Sequence, residues 1–205
     1  MILDEHFYKE KDVLKVAKAL LGKVLYTKID NVVCSGIITE TEAYAGVNDK
    51  ASHAFGNKLT RRTEVMYRKG GCAYIYLIYG MHSLFNVVTN LKGIPHAVLI
   101  RSIIPFEGME KMIKRLKGRN MDINAGNGPG KLSKLLGIDY KMSGILLSVN
   151  KSGNSIWIEE KGIKISDSEI KSGKRIGVDY AAEDAELPYR FWFEPEGFEF
   201  FRKDY

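Results

Sequence analysis

Cysteine is scarce: only Cys34 and Cys72 occur, in no CxxC spacing. Two are too few for a disulfide framework, so a reducing compartment, the cytoplasm, is the expected home. The four histidines, His6, His53, His82 and His96, show no HxxxH or HxH spacing and no cysteine partner spacing. A zinc signature is therefore lacking and no metal is expected. With five prolines and no Ser-, Pro- or Gly-rich tract, nothing reads as a linker. No apolar run approaches the ~20 residues that span a bilayer, so no membrane partner is expected. The segment Met1–Asp12 carries both signs of charge from Asp4 onward, unlike a signal peptide. What is present, 45% hydrophobic and 27% charged residues over 205 positions, is the composition of a folded globular protein. A chain of that length can bury a core without staples, and one domain over 1–205 is expected.

The net charge is +6, and it is clustered. Between Lys50 and Lys69 six basic residues (Lys50, Lys58, Arg61, Arg62, Arg68, Lys69) face one acid, Glu64. Between Lys111 and Lys141 eight basic residues face Asp122 and Asp139, while 181–199 holds six acids and one arginine. Two basic clusters of this kind suit a polyanionic partner; a solvated charged face is the bland alternative.

Apolar spacing at Val13, Leu14, Val16, Ala17, Leu20 and Leu21 predicts a helix stopped by Gly22. Val24–Tyr26 and Val32–Tyr44 read as strands. Asn48–Lys69 is polar and reads as a long surface loop with one turn of helix; loops of that length are commonly functional. Cys72–Tyr79 and Leu84–Thr89 form a hairpin turning at Gly80. His96–Ile104 reads as a strand closed by Pro105. Met109, Met112, Ile113 and Leu116 mark a helix ended by Gly118. GNGPGKLSKLLGI (Gly126–Ile138) runs from a loop into a short helix. ILLSV, SIWIEE, GIKIS, RIGVDY and YRFWFE follow as short strands. The sum is an α+β domain with a curved, mostly antiparallel sheet, few helices and a protruding hairpin.

Residues two apart on a strand share a face, so Glu40, Glu42 and Tyr44 project together. One carboxylate should face a cleft, because a buried unpaired carboxylate is costly; a solvated acidic edge is the alternative. Tyr74 and Tyr76 also share a face, where tyrosines can stack on a planar ring; for Tyr74 core packing is the preferred reading. Tyr79 and Met81 crowd the hairpin tip, the placement a wedge into a base stack requires. Gly128-Pro129-Gly130-Lys131 before a helix resembles a phosphate-contacting N-terminus. It lacks the GxxxxGK[ST] spacing of a triphosphate loop, so Lys131 suits a nucleic-acid backbone.

ETEAYAG, then Asp49-Lys50-Ala51-Ser52-His53, then YIYLIYGMHSLFNV together resemble the alkyladenine (3-methyladenine) DNA glycosylase family. The resemblance continues through AVLIRSIIPFEG, GNGPGKLSKLLGI and LPYRFWF, from Ala19 to about Phe193. It implies an enzyme of base excision repair that flips damaged purines out of duplex DNA and hydrolyses the N-glycosidic bond. By motif position Glu42 would be the general base, and Arg101 would orient the water and contact the backbone near the flipped nucleotide. Tyr44, His53 and Tyr76 would line the pocket, and Asn86 would screen purines carrying an amino group. Tyr79 would fill the gap in the duplex, with Met81 beside it and Lys58, Arg61, Arg62 and Lys131 on the DNA backbone. No cofactor is implied, no lysine nucleophile is identifiable, and a monomer is expected. Where the family often carries Thr-Pro-Arg-Asn, this chain has Thr60-Arg61-Arg62-Thr63. Arg62 keeps the basic position, and Thr63 replaces the amide with its bonds in that loop. A two-carboxylate carbohydrate hydrolase, with Glu40 and Glu42 as acid and base, and a catalytically silent nucleic-acid binder are the alternatives.

Overall fold

β-Branched residues fill Val32–Tyr44, and this segment is the longest strand of a computed structural model that describes residues 1–116, 121–150 and 153–195. The helices are α1 (Glu5–Tyr8), α2 (Val13–Ala19), α3 (Met109–Leu116) and α4 (Pro129–Leu136). The strands are β1 (Val24–Ile29), β2 (Val32–Tyr44), β3 (Ala73–Ile78), β4 (His82–Thr89), β5 (His96–Glu107), β6 (Ser155–Glu159), β7 (Lys171–Gly173) and β8 (Arg190–Trp192). They form one sheet in the order β3-β4-β5-β2-β1-β6, and β8 pairs with the end of β2 and with β7. Every pairing between these strands is antiparallel. The α+β expectation therefore holds.

Helix α2 starts where the Asp12 side chain accepts from Leu14 N–H and Lys15 N–H, satisfying donors a first turn leaves open. Its apolar stripe packs on the sheet, and Thr41 Oγ1 on β2 donates to Ala17 O at 2.9 Å. By strand alternation the neighbours of Thr41, Glu40 and Glu42, point to the opposite face. Register shifts between β2 and β5 on either side of Glu40 bend the sheet there.

Several sequence expectations are corrected. Strand β5 runs through Pro105 to Glu107: Pro105 pairs with Gly36 beside a register shift, the kind of irregularity at which a strand tolerates proline. The 48–69 segment is a surface loop only in part: 55–62 are exposed, but the stretches on either side are anchored in the core. It folds into short 3-10 turns at Phe55–Asn57 and Glu64–Tyr67, and Ala54, Val65 and Met66 pack against Tyr74 and Val88. GIKIS and RIGVDY form no strand, and ILLSV makes only isolated bridges. Ile113 faces solvent, so the buried face of α3 is Met109, Met112 and Leu116. Gly118, the charges Lys117 and Arg119, and Glu196 and Glu199 lie outside the described residues.

The hairpin is as expected. Ile78 pairs with His82, and Met81 N–H donates to Ile78 O at 3.2 Å. Both Tyr79 and Gly80 have positive φ, +52° and +68°. Glycine adopts that region freely, whereas a tyrosine there is strained.

Candidate active site

Glu42 sits in the middle of the sheet, paired with Leu99 of β5 on one side and Arg190 of β8 on the other. With hydrogen-bonded neighbours on both flanks, its backbone is held rigidly. Its side chain is 0% exposed and makes three polar contacts. Oε2 accepts from the Tyr44 hydroxyl at 2.8 Å, Oε1 accepts from Ile176 N–H at 2.8 Å, and Arg101 Nη1 lies 3.3 Å from Oε1. Burial pushes the Glu42 carboxyl above its ordinary value, against the pull of Arg101, Ile176 N–H and the Tyr44 hydroxyl. Glu40 lies beside it, paired with Arg101 at 3.2 Å and Arg190 at 3.0 Å.

Above this carboxylate lies a cavity of about 730 Å³. The expectation that one carboxylate faces a cleft is corrected: Tyr44, Arg101 and Ile176 line the cavity, and Glu40 and Glu42 do not. The burial of Glu42 is tolerated because donors surround it. Glu40, tied to two arginines, is not placed as the free acid that the carbohydrate-hydrolase alternative needs.

The cavity walls are aromatic. His53 packs edge-on against Tyr76 with ring centres 4.7 Å apart, and Tyr74 and Tyr76 lie 5.5 Å apart. Tyr74 is buried, as its core reading expected, yet its hydroxyl meets His53 Nδ1 at 2.8 Å. Arg62 Nη2 lies 3.3 Å from His53 Nε2. A guanidinium can only donate, so Nε2 accepts and the proton of the neutral ring sits on Nδ1, directed at Tyr74. Burial, with the Arg62 charge adding to it, pulls the His53 pKa down to about 4. Asn86, across from Tyr74 and Leu99, turns its amide nitrogen to Tyr74 O at 3.1 Å and Leu84 O at 3.3 Å. Its orientation is thereby set.

Tyr79 reaches the cavity rim at 84% exposure, and Met81 is 72% exposed beside it. Lys58 and Arg61 are exposed on the same loop as Arg62. Arg62 itself, expected on the DNA backbone, instead stacks over Tyr76 with Cζ 4.9 Å from the ring centre. Lys131, at the start of α4, lines the cavity and is exposed. Thr63 makes loop bonds of its own: its hydroxyl donates to Lys58 O at 2.8 Å and accepts from Thr60 N–H at 2.9 Å.

Sequence reasoning missed three contributors. Ile176 N–H on Glu42 has no sequence signal, since any residue but proline supplies it. Tyr180 lines the same cavity, 68% exposed, with its hydroxyl on Ala51 O at 3.1 Å. Arg175 and Asp49 form a buried ion pair behind the site. Reading RIGVDY as a strand concealed Arg175, Ile176 and Tyr180, and nothing local to Asp49 marked it as the partner of Arg175.

A buried, hydrogen-bonded carboxylate under an aromatic cavity roomy enough for a purine, with basic side chains at the rim, is the equipment of an enzyme that works on a planar group carried by a polyanion. The family model described as methylpurine-DNA glycosylase (MPG) matches residues 6–196. Three bacterial relatives are each named "Putative 3-methyladenine DNA glycosylase". The one from Chlamydia abortus is 47% identical, over 93% of this chain and 97% of its own length. The Bacillus thuringiensis relative is 45% identical (94% and 95%), and the Chlamydia pneumoniae relative 44% (95% and 96%). The chain belongs to the methylpurine-DNA glycosylase family; it is a DNA glycosylase, a hydrolase of base-excision repair whose substrate is DNA. Among the described residues no helix is long and apolar enough to cross a membrane.

Proposed function

We propose that the chain acts as a single monomeric domain, in the cytoplasm, flipping alkylated purines out of duplex DNA and hydrolysing the glycosidic bond with water activated by Glu42. A base inside a duplex is out of reach, so extrusion precedes chemistry. Tyr79, with Met81 beside it, enters the stack that the base leaves. Extrusion costs a few kcal/mol, and the inserted ring offsets part of it. The purine enters the cavity, stacks on Tyr44 and Tyr76, meets the His53 edge, and is checked by Asn86 for an exocyclic amino group. Lys58, Arg61, Arg62 and Lys131 take phosphates; for Arg62 this means leaving the face of Tyr76. Both cysteines are free thiols, which suits a reducing compartment.

Water attacks C1′ of the flipped nucleotide and gives a proton to Glu42. The C1′–O bond forms as the C1′–N bond to the purine breaks, and the free base departs from an abasic sugar. An anionic Glu42 also stabilises the positive charge that develops on the sugar. Because Glu42 is covered in the free protein, water reaches it as Tyr44, Ile176 or Arg101 shifts when the base enters. Arg101, between both carboxylates, orients that water.

The observation that carries this reading is Glu42 itself, buried, triply contacted and directly beneath the aromatic cavity. Single-turnover excision on duplexes carrying 3-methyladenine, hypoxanthine or ethenoadenine tests it, with Glu42→Gln alongside. Alkali-labile product from the native protein alone, with lesion binding retained by Glu42→Gln, is the expected outcome. Tight salt-sensitive binding without product would instead leave a silent DNA binder. A covalent adduct trapped by borohydride would overturn the purely hydrolytic scheme.

A further inference from the structure

Behind the cavity, away from any surface a base could touch, Arg175 meets Asp49. Both side chains are buried, at 0% and 2% exposure, and the pairing uses both guanidinium ends: Nη1 on Oδ2 at 2.5 Å and Nη2 on Oδ1 at 2.8 Å. Nη1 also donates to Ala43 O at 2.9 Å and Nη2 to Asp184 O at 3.2 Å. The same Asp49 carboxylate accepts from Ala45 N–H at 2.9 Å and Ala51 N–H at 3.0 Å. One ion pair thus joins the end of β2, the 45–51 turn and the 175–184 segment, pieces far apart in sequence.

Two neighbours of this pair belong to the reaction proposed above. The residue after Arg175 is Ile176, whose N–H is bonded to Glu42. The residue after Ala43 is Tyr44, whose hydroxyl is bonded to Glu42 and whose ring has the Arg175 guanidinium 4.9 Å from its centre. We propose that Asp49 and Arg175 act as one positioning unit, setting the Ile176 N–H and the Tyr44 hydroxyl on the two oxygens of Glu42. This rests on reading Glu42 as the general base.

Stability alone is a weak reason for such a pair. A buried ion pair gains little net stability over well-packed apolar residues, because desolvation offsets the attraction. Geometry is a better one. Guanidinium is a rigid planar fork that holds several acceptors in fixed directions, whereas a lysine ammonium is a point charge without that fork. A small displacement of donors around a reacting group can cost on the order of 100-fold in rate.

The test compares native protein, Arg175→Lys, Asp49→Asn and the double variant in single-turnover excision across pH. Affinity for a duplex carrying a stable abasic analogue and the melting temperature are measured in parallel. Expected for Arg175→Lys is a rate loss of about tenfold or more with abasic-duplex affinity unchanged. Its acid limb moves to higher pH, because Glu42 loses a donor that favours its anion. Asp49→Asn does the same, and the double variant falls no further than the worse single, as residues acting through one contact do. Should Arg175→Lys not fold, Asp49→Asn, which keeps an acceptor oxygen for the turn, supplies the same comparison. A folded variant with native rate and native acid limb would overturn the proposal. So would rate and product affinity falling together, or fully additive losses. Glu42→Gln run beside them separates the two readings: native-like excision by Glu42→Gln would sink the general-base assignment, whatever the Arg175 variants do.

Discussion

The Tyr44 hydroxyl donates to Oε2 of Glu42 at 2.8 Å while the Tyr44 ring lines the cavity. One side chain thus faces the cavity with its ring and the carboxylate with its oxygen. Tyr44→Phe separates the two duties. A hydrogen bond to a carboxylate favours its anion, so losing this one raises the Glu42 carboxyl further. The acid limb of excision is expected to move to higher pH while lesion affinity stays near native. A pH series of single-turnover rates against binding isotherms checks both.

The native acid limb has a direction of its own. With Glu42 as the proposed general base, excision would need it ionised, and burial raises its carboxyl above the ordinary 4.5. The rate should therefore fall as pH drops, with a midpoint above that value. Linkage has the opposite sign for stability. A group whose folded pKa is raised contributes most when protonated, and that contribution is lost as pH rises through the folded value. Glu42→Gln should accordingly melt above the native protein at pH 8, by a margin that narrows as the pH falls toward 4.5. Thermal melts across this range measure it.

His53 should be neutral at every pH where the enzyme works, since its pKa is pulled down to about 4. Ring titration by NMR is expected to give a midpoint near that value and a proton on Nδ1. Arg62→Ala removes one of the two causes, so the midpoint should rise. A midpoint near the ordinary 6.5 in the native protein would contradict this environment.

Tyr79 occupies a left-handed backbone position that asparagine adopts at lower cost in a hairpin turn. Tyr79→Asn should stabilise the protein by about 1 kcal/mol and weaken capture of flipped bases. Denaturant titration and lesion affinity should therefore move in opposite directions. Unchanged affinity would remove the wedge role.

Charge reversal at Lys58 or Arg61, both exposed beside the cavity, should flatten the salt dependence of DNA binding. Each phosphate contact contributes about 0.9 to the slope of log K against log salt. Arg62→Glu should also change the His53 titration, which Lys58→Glu and Arg61→Glu should leave alone. An unaltered slope would place the DNA elsewhere.

Much of this was legible in the sequence because it is local. Strand alternation aligns Glu40, Glu42 and Tyr44 along β2 and Tyr74 and Tyr76 along β3, sets that the register then brings to one face of the sheet, and the Tyr79-Gly80 tip follows from the hairpin. Motif likeness added His53, Asn86 and Arg101, and all three line the cavity with Tyr44, Tyr76, Tyr79, Arg62 and Lys131. Local pattern misled where tertiary packing overrode it. The alternating RIGVDY is a loop bent over the site, and the polar 48–69 stretch buries Val65 and Met66 under β3.

By itself, then, the sequence determined the central strands β1 to β6, the side chains they present and the resemblance to the family. Only the tertiary structure decided that the carboxylate is roofed rather than open, that Arg62 lies on Tyr76, and that Arg175 meets Asp49 across 126 residues. The reason is physical. Side-chain periodicity is a property of neighbours along the chain, but a backbone N–H such as that of Ile176 has no identity until folding aims it. A buried charge likewise finds its partner only when the path of the chain brings distant segments together.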